Sequence, residues 1–326
     1  MHDDDDWSYY TYTPNLGAAI AFAVLFIIFG LIFCGFLWIT TNIHKNFITK
    51  WYDSNAPISD IRHYSTYKLC TAHLPMIFGV LLEIIGYIGR AVSSRHPEAL
   101  PPFAIQTVLL LIAPTLYAAS IYMLFGRMAH LMFVENLMIM PARYNTLIFV
   151  LGDVFSLLLQ ASGGGLEVSE STRHTGSKIV TAGLFIQIGF FGIFMINEFL
   201  FVFRVNSLKG QNKIAGQATK WIRYNWILIV TSAMILLRSI VRTVEFLEGY
   251  YGYISGHEWF LYVFDATPMF LLPVMFCGTM LWLNIYEIQK DSIDLQMKTS
   301  ENGIRPSYTV SSIDSVSDIE MVSSKL

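Results

Sequence analysis

Long apolar runs separated by polar connections are the dominant pattern of this chain. A helix that crosses a bilayer needs about 20 mostly apolar residues. Seven runs have this character: Leu16–Thr41, Leu69–Val92, Pro102–Phe125, Thr146–Gly163, Ile179–Phe203, Trp221–Val244 and Trp259–Tyr286. The pattern therefore predicts an all-α polytopic membrane protein with seven transmembrane helices.

Two polar segments flank the apolar runs. Residues 1–15 contain four consecutive aspartates, and residues 287–326 are rich in serine, a composition that cannot bury enough apolar area to fold alone. We predict an acidic extracellular segment over 1–15, a seven-helix transmembrane domain over 16–286 and a disordered cytoplasmic tail over 287–326. No basic stretch precedes the first run, so we expect an uncleaved anchor and not a signal peptide.

The composition excludes several protein classes. Hydrophobic residues make up 54% of the chain and charged residues only 14%, against about 25% charged residues in ordinary soluble domains. The three cysteines, Cys34, Cys70 and Cys277, are too far apart for a disulfide framework or a metal-binding CxxC motif. The formal net charge of −3 gives no indication of a nucleic-acid partner.

Lysine and arginine are distributed unevenly between the two sides of the predicted bundle. The first, third and fifth connections and the C-terminal tail share one side, and they hold 15 of the 21 basic residues. The N-terminal segment and the remaining connections hold only 6. Because cytoplasmic loops carry the basic excess, we predict that the N-terminus is outside and the C-terminus is cytoplasmic.

Polar side chains inside the apolar runs are the candidate functional residues, because ionisable groups in a membrane are costly and face the bundle interior. Glu83, Tyr87 and Arg90 share one helical face, and the predicted topology puts most of the set in the extracellular half, with Asp153 and Gln187 nearer the middle. We predict one central, outward-biased polar site. Its candidate substrate-binding or translocation residues are Glu83, Tyr87, Arg90, Gln106, Asp153, Gln160, Gln187, Arg238, Arg242, Glu245 and Asp265.

A structural role for the same residues is the alternative. Opposite charges can neutralise one another and hold helices in register, and interhelical polar contacts are worth about 0.6–2 kcal/mol each. Arg90 and Glu245 can also extend to the membrane interface.

Motifs for enzymatic chemistry are missing from the sequence. It contains no GxxxxGK[ST] phosphate loop, no HExxH zinc motif and no GxSxG nucleophile elbow. We therefore expect no enzymatic activity, no cofactor and no metal site. Without ATP chemistry, any transport would be downhill or coupled to an ion or proton gradient.

The segment from Leu82 to Arg90, LEIIGYIGR, resembles the E-x-x-GY-x-x-R signature of the fungal lipid-translocating exporter family. Further matching stretches follow in order from residue 113 to residue 265, and a small departure is Val241, where an aromatic residue is expected. These stretches are Ala113-Pro114 through Tyr122 to Gly126-Arg127, Asp153 through Gln160 to Gly163–Gly165, Gly183-Leu184 with Gln187, Arg238–Arg242 with Glu245, and Gly249, Glu258, Tyr262 and Asp265.

The resemblance implies a seven-span fungal membrane protein that moves amphipathic lipids or confers resistance to them. Substrates in such a family are sphingoid long-chain bases, sterol-like toxicants and porphyrin or haem compounds. The expected location is the plasma membrane, or an internal membrane such as the vacuole or endoplasmic reticulum, and the expected partners are membrane lipids and an amphipathic small molecule.

We interpret the chain as a lipid transporter in which the headgroup follows the charged interior. Glu83, Asp153 and Asp265 are the natural counter-charges for a cationic headgroup. The arginines would set the protonation of these carboxylates or bind a lipid phosphate. The alternatives are a seven-helix receptor or stress sensor for lipids, and a regulator of a separate flippase.

Overall fold

The computed structural model describes residues 12, 14–54, 61–140, 142–167, 171–208, 220–248, 252–254 and 256–301. Within these ranges the regular structure is helical, and no strand is present. The helices are α1 (Leu16–Ser54), α2 (Thr66–Thr71), α3 (Leu74–Ser93), α4 (Leu100–Leu131), α5 (Ala142–Glu167), α6 (Arg173–Leu208), α7 (Lys220–Glu248), α8 (a turn at Glu258–Phe260, a π-helix at Leu261–Ala266 and Thr267–Trp282) and α9 (Ile285–Glu301).

Seven helical stretches in the described part of the chain are long and apolar enough to cross a membrane, which confirms the predicted number. They correspond to α1, α2 with α3, α4, α5, α6, α7, and α8 with α9. The helices extend beyond the apolar runs that predict them. For example, α1 continues past Thr41 to Ser54, so its last turns are polar but still helical.

The bundle has an apolar outside and a polar inside. Large apolar side chains such as Leu31, Leu158 and Phe203 are 64–70% exposed on the outer surface. Glu83 and Asp153 are buried between helices. This arrangement suits a lipid solvent, in which charged groups face the bundle interior. The chain is therefore a multi-pass membrane protein.

Glycines let α5 and α6 approach each other closely. A Cβ atom added to Gly163 would lie 2.7 Å from the carbonyl oxygen of Gly176, and one added to Gly176 would lie 2.6 Å from the carbonyl oxygen of Gly163. Such backbone-to-backbone contact requires small residues, as is common between transmembrane helices. The helix α5 continues through Gly163 to Glu167.

Proline interrupts the regular helix in α8. Pro268 has no N–H, so it cannot donate to the carbonyl four residues earlier, and Leu261–Ala266 form a π-helix. Thr267 donates both its backbone N–H and its hydroxyl to the carbonyl of Tyr262, the hydroxyl at 2.8 Å. The π-helix therefore sets the position of the two polar residues within it, Tyr262 and Asp265.

The helix α9 holds the connection between α1 and α2 through two glutamines on one face. Gln289 accepts from the backbone N–H of Tyr64 at 3.0 Å and donates to its carbonyl at 2.8 Å. Gln296 accepts from the N–H of Arg62 at 2.9 Å and donates to its carbonyl at 3.2 Å. We call these four hydrogen bonds the glutamine clasp.

The prediction that the chain is disordered from residue 287 is wrong for the residues of α9. The tail was expected to be disordered from residue 287, but α9 continues to Glu301, and residues 302–326 lie outside the described residues. The segment is too polar to bury apolar area by itself. Instead, its polar residues contact the bundle: Ser292, for example, donates to the carbonyl of Leu131 at 2.7 Å.

Removing the clasp is expected to destabilise this end of the bundle. Gln289→Ala leaves the N–H and carbonyl of Tyr64 without their partners, at a cost of about 1–2 kcal/mol. Thermal unfolding of the purified protein in detergent measures the loss. Asp294→Ala, at an exposed position of the same helix, is the matched control. Equal unfolding temperatures for the two variants would contradict the role assigned to the glutamine clasp.

Candidate functional site

A first charged network surrounds Arg90 at the end of the bundle where α1 begins, here called the N-terminal end. Arg90 donates to the hydroxyl of Tyr262 at 3.1 Å, to that of Tyr12 at 2.9 Å and to the Glu258 carboxylate at 2.7 Å. Glu258 also accepts from Tyr262 and from the backbone N–H of Asn15, both at 3.0 Å. The network thereby joins α3, α8 and the residues before α1.

A second network surrounds Arg238 deeper in the bundle. Arg238 of α7 forms a hydrogen-bonded ion pair with Asp265 of α8 and donates to the carbonyl of Leu110 in α4 at 2.7 Å. The side chains of Arg238 and Asp265 are only 3% and 10% exposed. Glu83 of α3 is buried nearby, within electrostatic reach of both. Four helices therefore meet around one arginine and two carboxyl groups.

A small pocket opens beside these networks. Arg242 and Glu245 form an ion pair of 2.8 Å along α7 and line the pocket together with Tyr12, His257 and Asp265. Its volume is about 30 Å³, which is room for about two water molecules. This pocket is therefore too small to enclose a lipid headgroup.

Aromatic rings separate the charges from the outer face of α1. Tyr87 stacks against Phe22 and Phe26 with ring centroids 5.5 and 5.6 Å apart, and Tyr262 stacks on Phe22 at 5.4 Å. Tyr87 is fully buried and lies close to Glu83. The rings keep the carboxyl groups in a medium of low polarity, which strengthens their attraction to any cation that reaches them.

The predicted single site is divided in the structure. Gln106 is buried against Gly89 at the contact between α3 and α4, on the same side of the bundle as the arginine networks. Gln160 and Gln187 instead bond to each other at 3.0 Å between α5 and α6. Asp153, which lies on α5 as Gln160 does, accepts a hydrogen bond from a tyrosine of α4. The residues of α5 and α6 therefore do not join the carboxylates near Arg238, because these two helices pack mainly on each other.

Three contributors to the networks were not among the predicted site residues. Glu258 and Tyr262 matched the family pattern in the seventh run, and their i, i+4 spacing at its start was the available signal. Tyr12 lies in the segment before the first apolar run, and no sequence pattern connects it to Arg90.

The opposite end of the bundle carries its own charged contacts. Glu135 bonds to His130 and lies 3.4 Å from Arg62. Burial by itself raises the pKa of Glu135, but the hydrogen bond from His130 and the positive charge of Arg62 outweigh burial and hold the pKa below its usual value. Burial raises the pKa of the nearby Tyr64 phenol. These residues join the loop before α2 to the end of α4.

The sequence matches the family described as RTA1 like protein over residues 76–284. Protein RTA1 of Saccharomyces cerevisiae is 48% identical over 95% of this chain and 96% of its own length. Protoporphyrin uptake protein 1 of the same species is 43% identical over 88% of this chain and 97% of its own length. Sphingoid long-chain base transporter RSB1, also from that species, is 28% identical over 60% of each chain.

No solved structure matches this chain. The matched family region contains most of both arginine networks and the π-helix of α8. The resemblance to the fungal lipid-translocating exporter family is confirmed by these relatives. The chain is a member of the RTA1-like family of multi-pass membrane proteins.

Proposed function

We propose that this protein moves amphipathic lipids or lipid-like small molecules across the bilayer and has no enzymatic step. A related protein is named a sphingoid long-chain base transporter, and another a protoporphyrin uptake protein. These names support a membrane transport role for small amphipathic compounds. We place the protein in the plasma membrane with its N-terminus outside, which is the orientation that the basic residues favour.

The main observation behind the proposal is that the carboxyl group of Glu83 is buried without an ion-pair partner among the described residues. This group is buried beside Asp265 and Arg238, yet among the described residues no lysine, arginine or histidine lies within ion-pair distance of it. A buried carboxylate without a close cation is costly. A protonated amine on a sphingoid base would supply that cation, while its chain remains in contact with the apolar outer surface of the bundle.

Binding of a headgroup requires this small pocket to widen, and α8 is the element in which the change would occur. Asp265 and Tyr262, which bind Arg238 and Arg90, both lie within the π-helix. Single π turns are frequent at functional sites of helices. Conversion of this turn to regular α-helix would rotate both side chains relative to the arginines. An anionic substrate such as a porphyrin would then meet the released guanidinium groups.

Transport assays in liposomes test the proposal. The purified protein is reconstituted, and transbilayer movement of a fluorescent sphingoid base is followed by quenching in one leaflet. Glu83→Gln, if correctly inserted, is expected to slow movement about tenfold or more, since about 1.4 kcal/mol of lost interaction corresponds to a factor of ten. Glu98→Gln, the same change at an exposed position at the same end of the bundle, should leave the rate unchanged.

The alternatives predict different results in the same assay. If the wild type moves no long-chain base, sterol or porphyrin faster than empty liposomes do, the transport proposal fails. Saturable binding without movement would then favour a receptor or stress sensor. Movement that requires an added second protein would favour a regulator of a separate flippase.

A further inference from the structure

A second pair of buried carboxyl groups lies away from the arginine networks. Asp153 of α5 is 1% exposed, and Glu198 of α6 is fully buried. The hydroxyl of Tyr122 in α4 donates to Asp153 at 2.9 Å. Glu198 lies close enough to act electrostatically on the same phenol, and the hydroxyl of Ser232 in α7 lies beside it. Four helices therefore surround the two carboxyl groups.

These groups are incompletely partnered. One oxygen of Asp153, both oxygens of Glu198 and the hydroxyl of Ser232 are buried without a well-aligned hydrogen bond within the described ranges. No lysine, arginine or histidine described in the structure pairs with either carboxyl group, and the facing groups are Tyr122 and Ser232. This contrasts with Asp265, which has Arg238.

Aromatic rings make the surroundings apolar. The ring of Tyr122 lies 4.4 Å from that of Phe194, 5.5 Å from that of Phe149 and 6.0 Å from that of Phe191, measured between centroids. A bare carboxylate in such a place is strongly disfavoured, and it must be neutralised by a cation or a proton. Within the described residues, no three acidic, histidine or cysteine side chains are grouped so as to hold a metal ion. The proton is therefore the cation that this site fits.

Buried polar side chains continue from this pair along one face of α5. Asn145, Asp153, Ser156 and Gln160 are all buried, and their spacing of eight, three and four residues keeps them on one helical face. Asn145 accepts from Asn197 at 3.1 Å. At about 1.5 Å per residue the face spans about 22 Å, most of the roughly 30 Å hydrocarbon core.

We propose that Asp153 and Glu198 form a proton-binding site, and that a proton is taken up there and released during each transport cycle. The inference rests on the proposed transport function and names its energy source. In the loaded state an O–H bond is formed on one carboxyl oxygen with a proton from water. In the unloaded state that bond is broken and the proton returns to water along the polar face of α5.

Infrared spectroscopy tests the site without any transport. Difference spectra of the purified full-length protein are recorded as the pH is changed, and the carbonyl stretching band of a protonated carboxylic acid is followed. The wild type should show such a band that disappears at alkaline pH. Asp153→Asn and Glu198→Gln should each remove part of it, and Glu98→Gln at its exposed position should not. A wild-type protein without a titrating band would overturn the inference.

A transport measurement tests the coupling. Liposomes containing the protein are given a gradient of about one pH unit with the membrane potential clamped. One proton coupled to each substrate molecule would shift the steady-state distribution of the sphingoid base between leaflets about tenfold. The Glu198→Gln variant should still exchange the sphingoid base between the leaflets, but its steady-state distribution should not change with the pH gradient.

The results separate failure of the inference from failure of the proposed function. Substrate movement that is the same with and without the gradient would overturn proton coupling and leave transport in place. No movement under either condition would overturn transport, and the infrared titration would still decide whether the proton site exists. A band that responds to sodium concentration at constant pH would show that a metal cation, and not a proton, occupies the site.

Discussion

Arg238→Met is expected to destabilise the folded protein by about 3–5 kcal/mol, which is the usual cost of removing one partner of a buried ion pair. Its guanidinium is bonded to both Asp265 and the carbonyl of Leu110. The variant would leave the Asp265 charge buried beside Glu83 without a counter-ion. Methionine preserves much of the side-chain volume, so the effect reports the lost charge and hydrogen bonds.

Thermal unfolding and size-exclusion profiles in detergent measure this effect. Arg95→Met, at an exposed position of the same end, is the matched control and should behave like the wild type. The double variant Arg238→Met with Asp265→Asn removes both charges and should recover most of the lost stability, because neutral groups are far less costly to bury. A single variant as stable as the wild type would mean that Arg238 does not connect these helices.

Gly163→Ala is expected to destabilise the contact between α5 and α6 by about 1–3 kcal/mol, as overpacking of a well-packed interior does. The added methyl would lie 2.7 Å from the carbonyl oxygen of Gly176 and 2.7 Å from the backbone nitrogen of Val180. Backbone atoms cannot rotate away as a side chain can. The two helices would therefore have to separate.

Gly164→Ala is the matched control, because a Cβ atom added there meets nothing within 4 Å. That variant should be neutral, or more stable by up to about 1 kcal/mol from the higher helix propensity of alanine. Unfolding temperatures of both variants in the same detergent make the comparison. Equal behaviour of Gly163→Ala and Gly164→Ala would contradict the close contact.

The two arginine networks connect stability with the proposed transport. Arg90 and Arg238 hold α8 against α3, α4 and α7. A substrate that replaces one of these arginines at its carboxylate would weaken the same contacts that keep the pocket closed. For transport by such a site, the free energy gained by binding the substrate must therefore offset the free energy lost when the ion pair breaks.

Local periodicity was sufficient to predict much of the structure. The apolar runs determined the number of spans, because a spanning segment must satisfy its backbone hydrogen bonds internally and be apolar on the outside. The spacing of Glu83, Tyr87 and Arg90 placed them on one helical face, and all three are buried in the structure. Both properties depend on residues within a few turns of one another.

The lateral arrangement of the helices was decided only in the tertiary structure. Arg90 pairs with Glu258, 168 positions away, and Gln289 with Tyr64, 225 positions away. No helical period relates such positions. For the same reason the predicted single site became two: Asp153 has the same chemistry as Asp265, but α5 packs chiefly on α6 and α4.

The sequence by itself determined an all-helical, seven-span membrane protein with charged faces turned inward, because those properties follow from the helical repeat and from the cost of charge in lipid. Tertiary packing decided which charges neutralise each other. It paired Asp265 with Arg238 and left Glu198 near the hydroxyl groups of Tyr122 and Ser232, since the neighbours of a side chain depend on how distant helices pack.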